Sequence, residues 1–171
     1  NYQFWQRLWE DAQHIATSSG WPARLATRLG DPGNVSADHP DVQVASPLGD
    51  AERLRIAFAS DFHAGPTTPP AMIDQAIAHL RGASADLLLL GGDFVSLRAD
   101  YARDLVNRLA EVPAPLGRYA VLGNHDHWAG GAEVAAHLRR AGIEVLTNRN
   151  VRLPHPFGNV SICGVDDHTS G

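Results

Sequence analysis

The sequence predicts an α/β fold with a largely parallel sheet, and two observations lead to that class. After residue 50, short apolar runs with the residue types of β-strands alternate with longer runs that have the period of amphipathic helices. The strand predicted at Asp86 to Leu90 ends in consecutive leucines, a composition typical of parallel strands that are covered on both faces. Regular alternation of strands and helices indicates βαβ units, in which each helix leads to a parallel neighbouring strand.

Residues 1 to 50 are predicted to form a helical N-terminal extension and a linker. Residues 1 to 19 have a helical period that stops at Gly20, and residues 24 to 28 form a short basic second helix. The first helix carries a narrow apolar stripe made of Trp5, Leu8, Trp9, Ala12, Ile15 and Ala16. The stripe suits packing on the rest of the domain, and the alternative is a helix that lies on a membrane surface or a partner. Residues 31 to 50 are rich in Pro, Gly, Asp and Ser and form the connector, where only Val42-Gln43-Val44 alternates like a strand.

Residues 51 to 171 are predicted to form one domain. Leu54 to Ser60 is a strand by its β-suited composition, and Pro70 to Leu80 is a helix because proline opens it and its apolar residues share one stripe. The same signals predict later strands at Asp86 to Leu90, Tyr119 to Leu122, Ile143 to Leu146, Val151 to Leu153 and Val160 to Val165, and later helices at Asp100 to Glu111 and Ala132 to Ala141. Gly142 ends the last helix, and a proline-rich turn separates the last two strands.

The composition excludes several classes of protein. The chain has 171 residues, of which 44% are hydrophobic and 19% charged, as is typical of a globular domain. Because 14 basic and 19 acidic residues give a net charge of -5, a nucleic-acid polymer is not an expected partner. The single cysteine, Cys163, excludes an internal disulfide and a zinc site of paired cysteines, and its apolar strand predicts that it is buried.

Three successive predicted strands end in residues that can bind a metal. The endings are Ser60-Asp61-Phe62-His63, Gly91-Gly92-Asp93-Phe94 and Gly123-Asn124-His125-Asp126. Ligands of open α/β sheets lie outside the carboxyl ends of the strands, so three parallel strands would bring these side chains together. A single such ending is usually a cap or a turn, but three in succession, separated by helices, indicate a metal site.

The residue types suit divalent cations. Asp61 and His63 are two residues apart, so both side chains can lie on one side of the chain and bind one ion. Gly92 allows a sharp turn of the backbone, Asp93 can offer one oxygen to each of two ions, and Asn124 supplies an amide oxygen. Carboxylate, amide and imidazole ligands favour Mn, Fe or Zn over metals that prefer thiolates.

At these residues the chain resembles the calcineurin-like metallophosphoesterase superfamily, whose signature is Asp-x-His, Gly-Asp-x-x-Asp and Gly-Asn-His-Asp or Glu. The resemblance covers residues 54 to 167 and is strongest to bacterial single-domain phosphodiesterases related to UDP-2,3-diacylglucosamine hydrolases. It implies an αββα sandwich, of which this chain is the N-terminal half. It also implies that Asp61 and His63 bind a first metal, that Asp93 bridges both metals and that Asn124 binds the second.

The same resemblance implies two divalent metal ions, Mn, Fe or Zn, and hydrolysis of a phosphate ester by a water that the metals activate. His125 would contact the phosphoryl oxygen or the leaving group, and Asp126 would hold the His125 ring. The expected substrate is a small phosphorylated molecule, namely a nucleotide, a phosphodiester or a nucleotide-sugar lipid. We expect a cytoplasmic protein or one that is peripheral at a membrane surface.

Two departures from the family pattern favour an alternative, a metallophosphoesterase-like domain that binds metal or a partner without catalysis. Ser96 stands where the signature has its last Asp, so the support of the turn around the second motif is in question. The family also completes its site with C-terminal histidines, including a Gly-His-x-His, and we expect the chain to be truncated before them.

Other histidines carry weaker signals. His127 and Trp128 follow the third motif and can line a substrate pocket, although packing is the ordinary role of such a tryptophan. His155 is predicted in a turn and His168 in a surface loop. The remaining histidines have no ligand-like context and are expected on the surface: His14, His39, His79 and His137.

Overall fold

The computed structural model of the chain describes residues 2–29, 34–44 and 53–168. Its helices are α1 (Tyr2–Thr17), α2 (Trp21–Arg28), α3 (Pro70–Gly82), α4 (Ala102–Ala110) and α5 (Asn124–Arg140). Its strands are β1 (Ile56–Ala59), β2 (Leu87–Leu90), β3 (Arg118–Ala120), β4 (Glu144–Val145), β5 (Arg149–Arg152) and β6 (Ser161–Gly164), and a short 3-10 turn (Ala99–Tyr101) precedes α4. None of the helices in these ranges is long and apolar enough to cross a membrane.

A four-stranded parallel sheet in the order β1-β2-β3-β4 forms the centre of the domain. Each strand pairs with the next one along the chain, and a helix connects every pair. The predicted α/β class and parallel sheet are therefore confirmed. The last two strands, β5 and β6, pair antiparallel in a separate ribbon.

The two faces of the sheet are covered by different elements. One face packs against the three connecting helices, and Leu88 and Leu90 of β2 lie in that cluster with Ile77, Leu105 and Leu138. Leu87 points to the other face, where it joins a smaller cluster with Tyr119, Leu146, Leu153 and Phe157. The leucine run of β2 is thus buried on both sides, as its composition predicts.

The predicted packing of the α1 stripe is wrong for the described side chains. Leu8, Trp9 and Ile15 are 51%, 65% and 76% exposed, and the side chain of Trp5 lies outside the described residues. The contact with the domain runs instead through His14, whose ring lies 6.0 Å from that of Tyr101. This contact leaves Leu8, Trp9 and Ile15, the large stripe residues whose side chains the structure describes, uncovered.

The connector contains no helix or strand within its described part, residues 34–44. Val42 and Val44, which alternate like a strand in the sequence, form no strand, and both are exposed. The segment is fixed to α3 at Val35, whose N–H donates to Gln75 and whose carbonyl lies 3.0 Å from His79 Nε2. Residues 30–33 and 45–52 lie outside the described residues, and the predicted boundary after residue 50 falls among them.

Two burial predictions are corrected by the structure. Cys163 is exposed, because alternate residues of a strand face opposite sides and it is Ile162 that packs on the smaller cluster. His137 is buried at 7% exposure, because it lies on the face of α5 that also buries Val134 and Leu138. The residues next to His137 in the sequence do not by themselves predict that it lies on this buried face.

Helix α5 begins eight positions earlier than the sequence predicts, at Asn124 instead of Ala132. Gly130 interrupts it with a φ of 123°, a conformation that glycine adopts without strain. The third motif therefore lies in the first helical turn and not in a loop.

Candidate metal centre

The first two motifs are held together by backbone pairing that continues past the ends of β1 and β2. The Asp61 N–H donates to the Gly92 carbonyl at 3.0 Å, and the His63 N–H donates to the Asp93 carbonyl at 2.9 Å. A further bond joins Ala64 to the Phe94 carbonyl at 2.8 Å. The strand ends thus form a rigid platform for the side chains of Asp61, His63 and Asp93.

The backbone at this platform is strained. Asp61, His63 and Asp93 have φ values of 59°, 44° and 54°, in the left-handed region that non-glycine residues seldom occupy. Each such residue costs roughly 1–3 kcal/mol, and this strain persists only where surrounding structure imposes it. Its concentration at three predicted metal ligands points to a functional site.

The side chains of the platform converge. His63 Nε2 lies 3.7 Å from Asp61 Oδ1 and 3.8 Å from Asp93 Oδ2. The ligand atoms of His63, Asp93 and His125 all lie within 4.8 Å of one another. Ligand atoms bound at about 2.0–2.2 Å from a zinc-like ion need separations only slightly shorter than these, so the donor set fits a divalent metal. Asn124 occupies the first position of α5, half-buried beside His125, and stays a predicted ligand.

Two glycines permit the close approach of the second and third motifs. Gly92 has a φ of 95°, and a Cβ there would lie 2.5 Å from the Gly123 nitrogen. A Cβ at Gly123 would clash with the Asp93 carboxylate. The predicted role of Gly92 in a sharp, close turn is confirmed.

Asp126 is fully buried beneath the centre and accepts three backbone hydrogen bonds. Its Oδ1 accepts from the N–H groups of Phe94 and Val95 at 2.8 and 3.2 Å, and its Oδ2 accepts from Gly123 at 3.0 Å. Burial raises the pKa of the Asp126 carboxyl although these bonds act in the opposite direction. This placement differs from the predicted role of holding the His125 ring, because consecutive residues of a helix do not face each other.

His125 lies at the mouth of the site. Its N–H donates to Asp93 Oδ1 at 3.0 Å, and its ring Nδ1 lies 3.4 Å from the Ser96 carbonyl oxygen. A carbonyl beside Nδ1 favours the tautomer that is protonated there, which leaves the lone pair of Nε2 available. The ring meets His63 edge-on with 4.7 Å between centroids, and Trp128 lies 4.9 Å away on another side. Sequence reasoning missed this contact with Trp128, which is 37% exposed.

Ser96, which stands where the family signature has its last Asp, supports the turn around the second motif. Its hydroxyl donates to the His63 carbonyl at 2.9 Å, and its N–H donates to the Ala64 carbonyl at 3.2 Å. Together with the contact of its carbonyl to His125, these bonds tie the first motif to the third. A hydroxyl thus holds the turn. In the sequence, the one signal for this role is the position of Ser96, three residues after Asp93.

We expect Ser96→Ala to weaken metal binding about tenfold, the lower end of the range for groups that orient metal ligands. The His63 carbonyl accepts from both Ser96 and Thr68, so loss of the Ser96 hydroxyl leaves only the 2.6 Å bond from Thr68 Oγ1 and holds the backbone at His63 less firmly. A Mn²⁺ titration followed by calorimetry measures the change. Ser96→Thr keeps the hydroxyl and should bind like the wild type, whereas equal affinity of the alanine variant would contradict the role.

A histidine–aspartate pair lies next to the centre. His127 Nε2 is 2.9 Å from Asp166 Oδ1, and both side chains are largely buried. This contact joins α5 to the segment that follows β6, and the Asp166 N–H in turn donates to Asn148. His168, predicted in a surface loop, lies on the surface with its side chain 93% exposed. His155 lies in the turn between β5 and β6, as predicted.

Comparison with known proteins assigns the chain to a family. An uncharacterized metallophosphoesterase of Aquifex aeolicus is 34% identical over 93 residues, which are 54% of this chain and 36% of that protein. The UDP-2,3-diacylglucosamine pyrophosphatase LpxG of Chlamydia muridarum is 37% identical over 75 residues, 43% of this chain and 23% of its own length. The phosphodiesterase YaeI of Escherichia coli is 37% identical over 103 residues, 56% of this chain and 37% of its own length.

The chain therefore spans less than two fifths of the length of these relatives. No solved structure matches it. The sequence profile of the calcineurin-like phosphoesterases matches residues 54–168, the part that contains the sheet and all three motifs. The chain belongs to the calcineurin-like phosphoesterase family.

Proposed function

We propose that the protein is a metal-dependent phosphodiesterase that uses two divalent ions, Mn, Fe or Zn, to hydrolyse a phosphate ester with water. The observation that carries the proposal is the convergence of Asp61, His63 and Asp93, on left-handed backbone after two parallel strands, with His125 of the first turn of α5. When bound, such ions activate water and neutralise the charge of the phosphoryl group.

The ligand roles in this proposal are those that the family resemblance implies, and contacts support three of them. Asp61 and His63 would hold the first ion, and Ser60 Oγ donates to Asp61 Oδ2 at 2.5 Å. Asp93 would serve both ions, since the His125 N–H fixes its Oδ1 while Oδ2 faces His63. Asn124 would offer its amide oxygen to the second ion.

His125 carries the proton chemistry in this proposal. Its Nδ1 lies at the Ser96 carbonyl, so Nε2 is the nitrogen that can contact the phosphoryl group or the departing oxygen. In the reaction a water oxygen forms a bond to phosphorus, the ester P–O bond breaks, and the departing oxygen gains a proton. Asp126 contributes indirectly, by fixing the turn from which His125 projects.

The substrate class is a small phosphodiester or pyrophosphate. Two relatives bear the names of a UDP-2,3-diacylglucosamine pyrophosphatase and a phosphodiesterase, which favours a nucleotide-sugar lipid or a related ester. A lipid substrate would place the protein at a membrane surface, and a water-soluble nucleotide would place it in the cytoplasm.

Hydrolysis of a chromogenic phosphodiester with Mn²⁺, before and after chelation, tests the proposal in the full-length protein. We expect turnover that disappears with the metal and falls at least about 100-fold in His125→Ala, the low end of the contribution of general acid–base catalysis. Near-wild-type turnover of His125→Ala, or turnover that survives chelation, would contradict it.

A second candidate is a domain that binds metal or a partner without catalysis. It is favoured by Ser96, which offers a single neutral hydroxyl where the family signature has a carboxylate. Metal that binds at the Asp93 site without any turnover of phosphate esters would favour this candidate over the enzyme.

A further inference from the structure

The second helix presents an apolar face that nothing in the described chain covers. Trp21, Leu25 and Leu29 are 51%, 44% and 75% exposed, and their spacing of four residues places them on one side of α2 and its C-cap. The indole N–H of Trp21 donates to the Ala16 carbonyl at 3.0 Å, so the ring is fixed while half of its surface stays in solvent. We call Trp21, Arg24, Leu25, Arg28 and Leu29 the α2 face.

The α2 face is also positively charged. Arg24 and Arg28 are exposed and lie one helical turn apart, beside the apolar residues. Residues 21–29 contain no acidic side chain, although the whole chain has a net charge of -5. A cationic, tryptophan-containing face on an acidic protein is complementary to an anionic surface that has an apolar interior.

We propose that the α2 face binds the surface of an anionic phospholipid bilayer. In this arrangement α2 lies flat, its apolar residues enter the boundary between headgroups and acyl chains, and the two arginines remain among anionic headgroups. A second copy of the chain fits less well, because a two-fold interface would bring the arginines of both copies together. A nucleic acid would not bury three large apolar side chains.

Helix α1 links the α2 face to the surface beside the metal centre. The α1 helix, which Trp21 holds to α2, contacts Tyr101 next to α5. A cavity of about 500 Å³ lies there, lined by Asp11, His127 and Trp128 among others, and Trp128 also contacts the ring of His125. If the proposed function is correct, a bilayer bound at the α2 face would be a source of phosphate esters for the site, but the binding itself does not depend on that function.

Co-sedimentation of the full chain with vesicles tests the surface without any turnover. The vesicles are phosphatidylcholine alone and phosphatidylcholine with phosphatidylglycerol, and the protein is kept free of metal. We expect binding only to the anionic vesicles. Arg24→Glu with Arg28→Glu should reduce it at least 25-fold, from about fivefold for each arginine removed, and Leu25→Ser with Leu29→Ser should also abolish sedimentation.

Matched variants elsewhere control for charge and for apolar area. Arg103→Glu with Arg139→Glu makes the same change of charge on exposed positions of α4 and α5, and Val42→Ser with Val44→Ser removes exposed apolar side chains from the connector. Both controls should sediment like the wild type. Failure of the wild type to bind anionic vesicles, or equal loss in the controls, would overturn the proposal. So would self-association, measured by analytical ultracentrifugation, that the α2 variants abolish in place of vesicle binding.

Discussion

Asp93→Asn is expected to abolish metal binding while the metal-free fold stays intact. The asparagine oxygen can still accept the His125 N–H, the 3.0 Å bond that Asp93 Oδ1 makes now. The other oxygen, 3.8 Å from His63 Nε2, becomes an amide nitrogen that cannot bind a cation. Since groups that merely orient ligands change affinity about 10–100-fold, loss of a bridging ligand should exceed about 100-fold.

Thermal unfolding with and without Mn²⁺ measures this loss. Metal at a hundred times its dissociation constant stabilises the wild type by about 2.7 kcal/mol, and the variant should gain almost none of this. Hydrolysis of a phosphodiester should vanish in parallel. Asp104→Asn, an exposed aspartate on α4, is the matched control and should respond to metal like the wild type.

Gly123→Ala is expected to displace the Asp93 carboxylate without changing its charge. Its Cβ would clash with the Asp93 carboxylate and lie 2.8 Å from the Asp93 backbone nitrogen, so Asp93 must shift from its position. We expect this variant also to lose metal affinity. Wild-type affinity in Asp93→Asn would show that the centre at His63, Asp93 and His125 is not the metal site.

The architecture of the domain was predictable because apolar period and residue type report directly on burial. β2 shows this most clearly, since its leucines face both clusters and no polar residue interrupts them. The start of α5 could not be predicted in this way, because its first turn, Asn124 to His127, is polar and has no apolar spacing. The helix starts there with a local cap, in which Asp126 accepts from the Gly123 N–H, and with one tertiary bond, from the His125 N–H to Asp93.

The clustering of Asp61, His63 and Asp93 at the strand ends could be predicted, but the groups that position them could not. Asp61, His63 and Asp93 are recognisable because their residue types follow strands, whereas the left-handed backbone that aims them depends on pairing between distant segments. From the sequence alone, Ser96 is a departure from the family signature. The structure shows that its hydroxyl donates to the His63 carbonyl and supports the first motif. The stripe of α1 was misjudged because amphipathic period alone does not say what covers the apolar face.

Asp126→Ala is expected to have the largest effect on stability of any single change at the site. It leaves the N–H groups of Phe94, Val95 and Gly123 without their acceptor in a buried region. Each buried unsatisfied group costs about 1–3 kcal/mol, so the free energy of unfolding should fall by about 3 kcal/mol or more. That is a large fraction of the roughly 5–15 kcal/mol that stabilises a typical domain.

Urea unfolding of the metal-free protein, followed by circular dichroism, separates this role from metal binding. Asp126→Asn should lose less stability than Asp126→Ala, because its oxygen still serves Phe94 and Val95 while its amide group meets the N–H of Gly123. The neutral amide also avoids the burial of charge that raises the pKa of the Asp126 carboxyl. Asp104→Ala, on the surface of α4, should change stability by no more than about 0.5 kcal/mol. An alanine variant at 126 as stable as this control would mean that the three amides find other acceptors, and that the second and third motifs are joined by something other than the buried carboxylate.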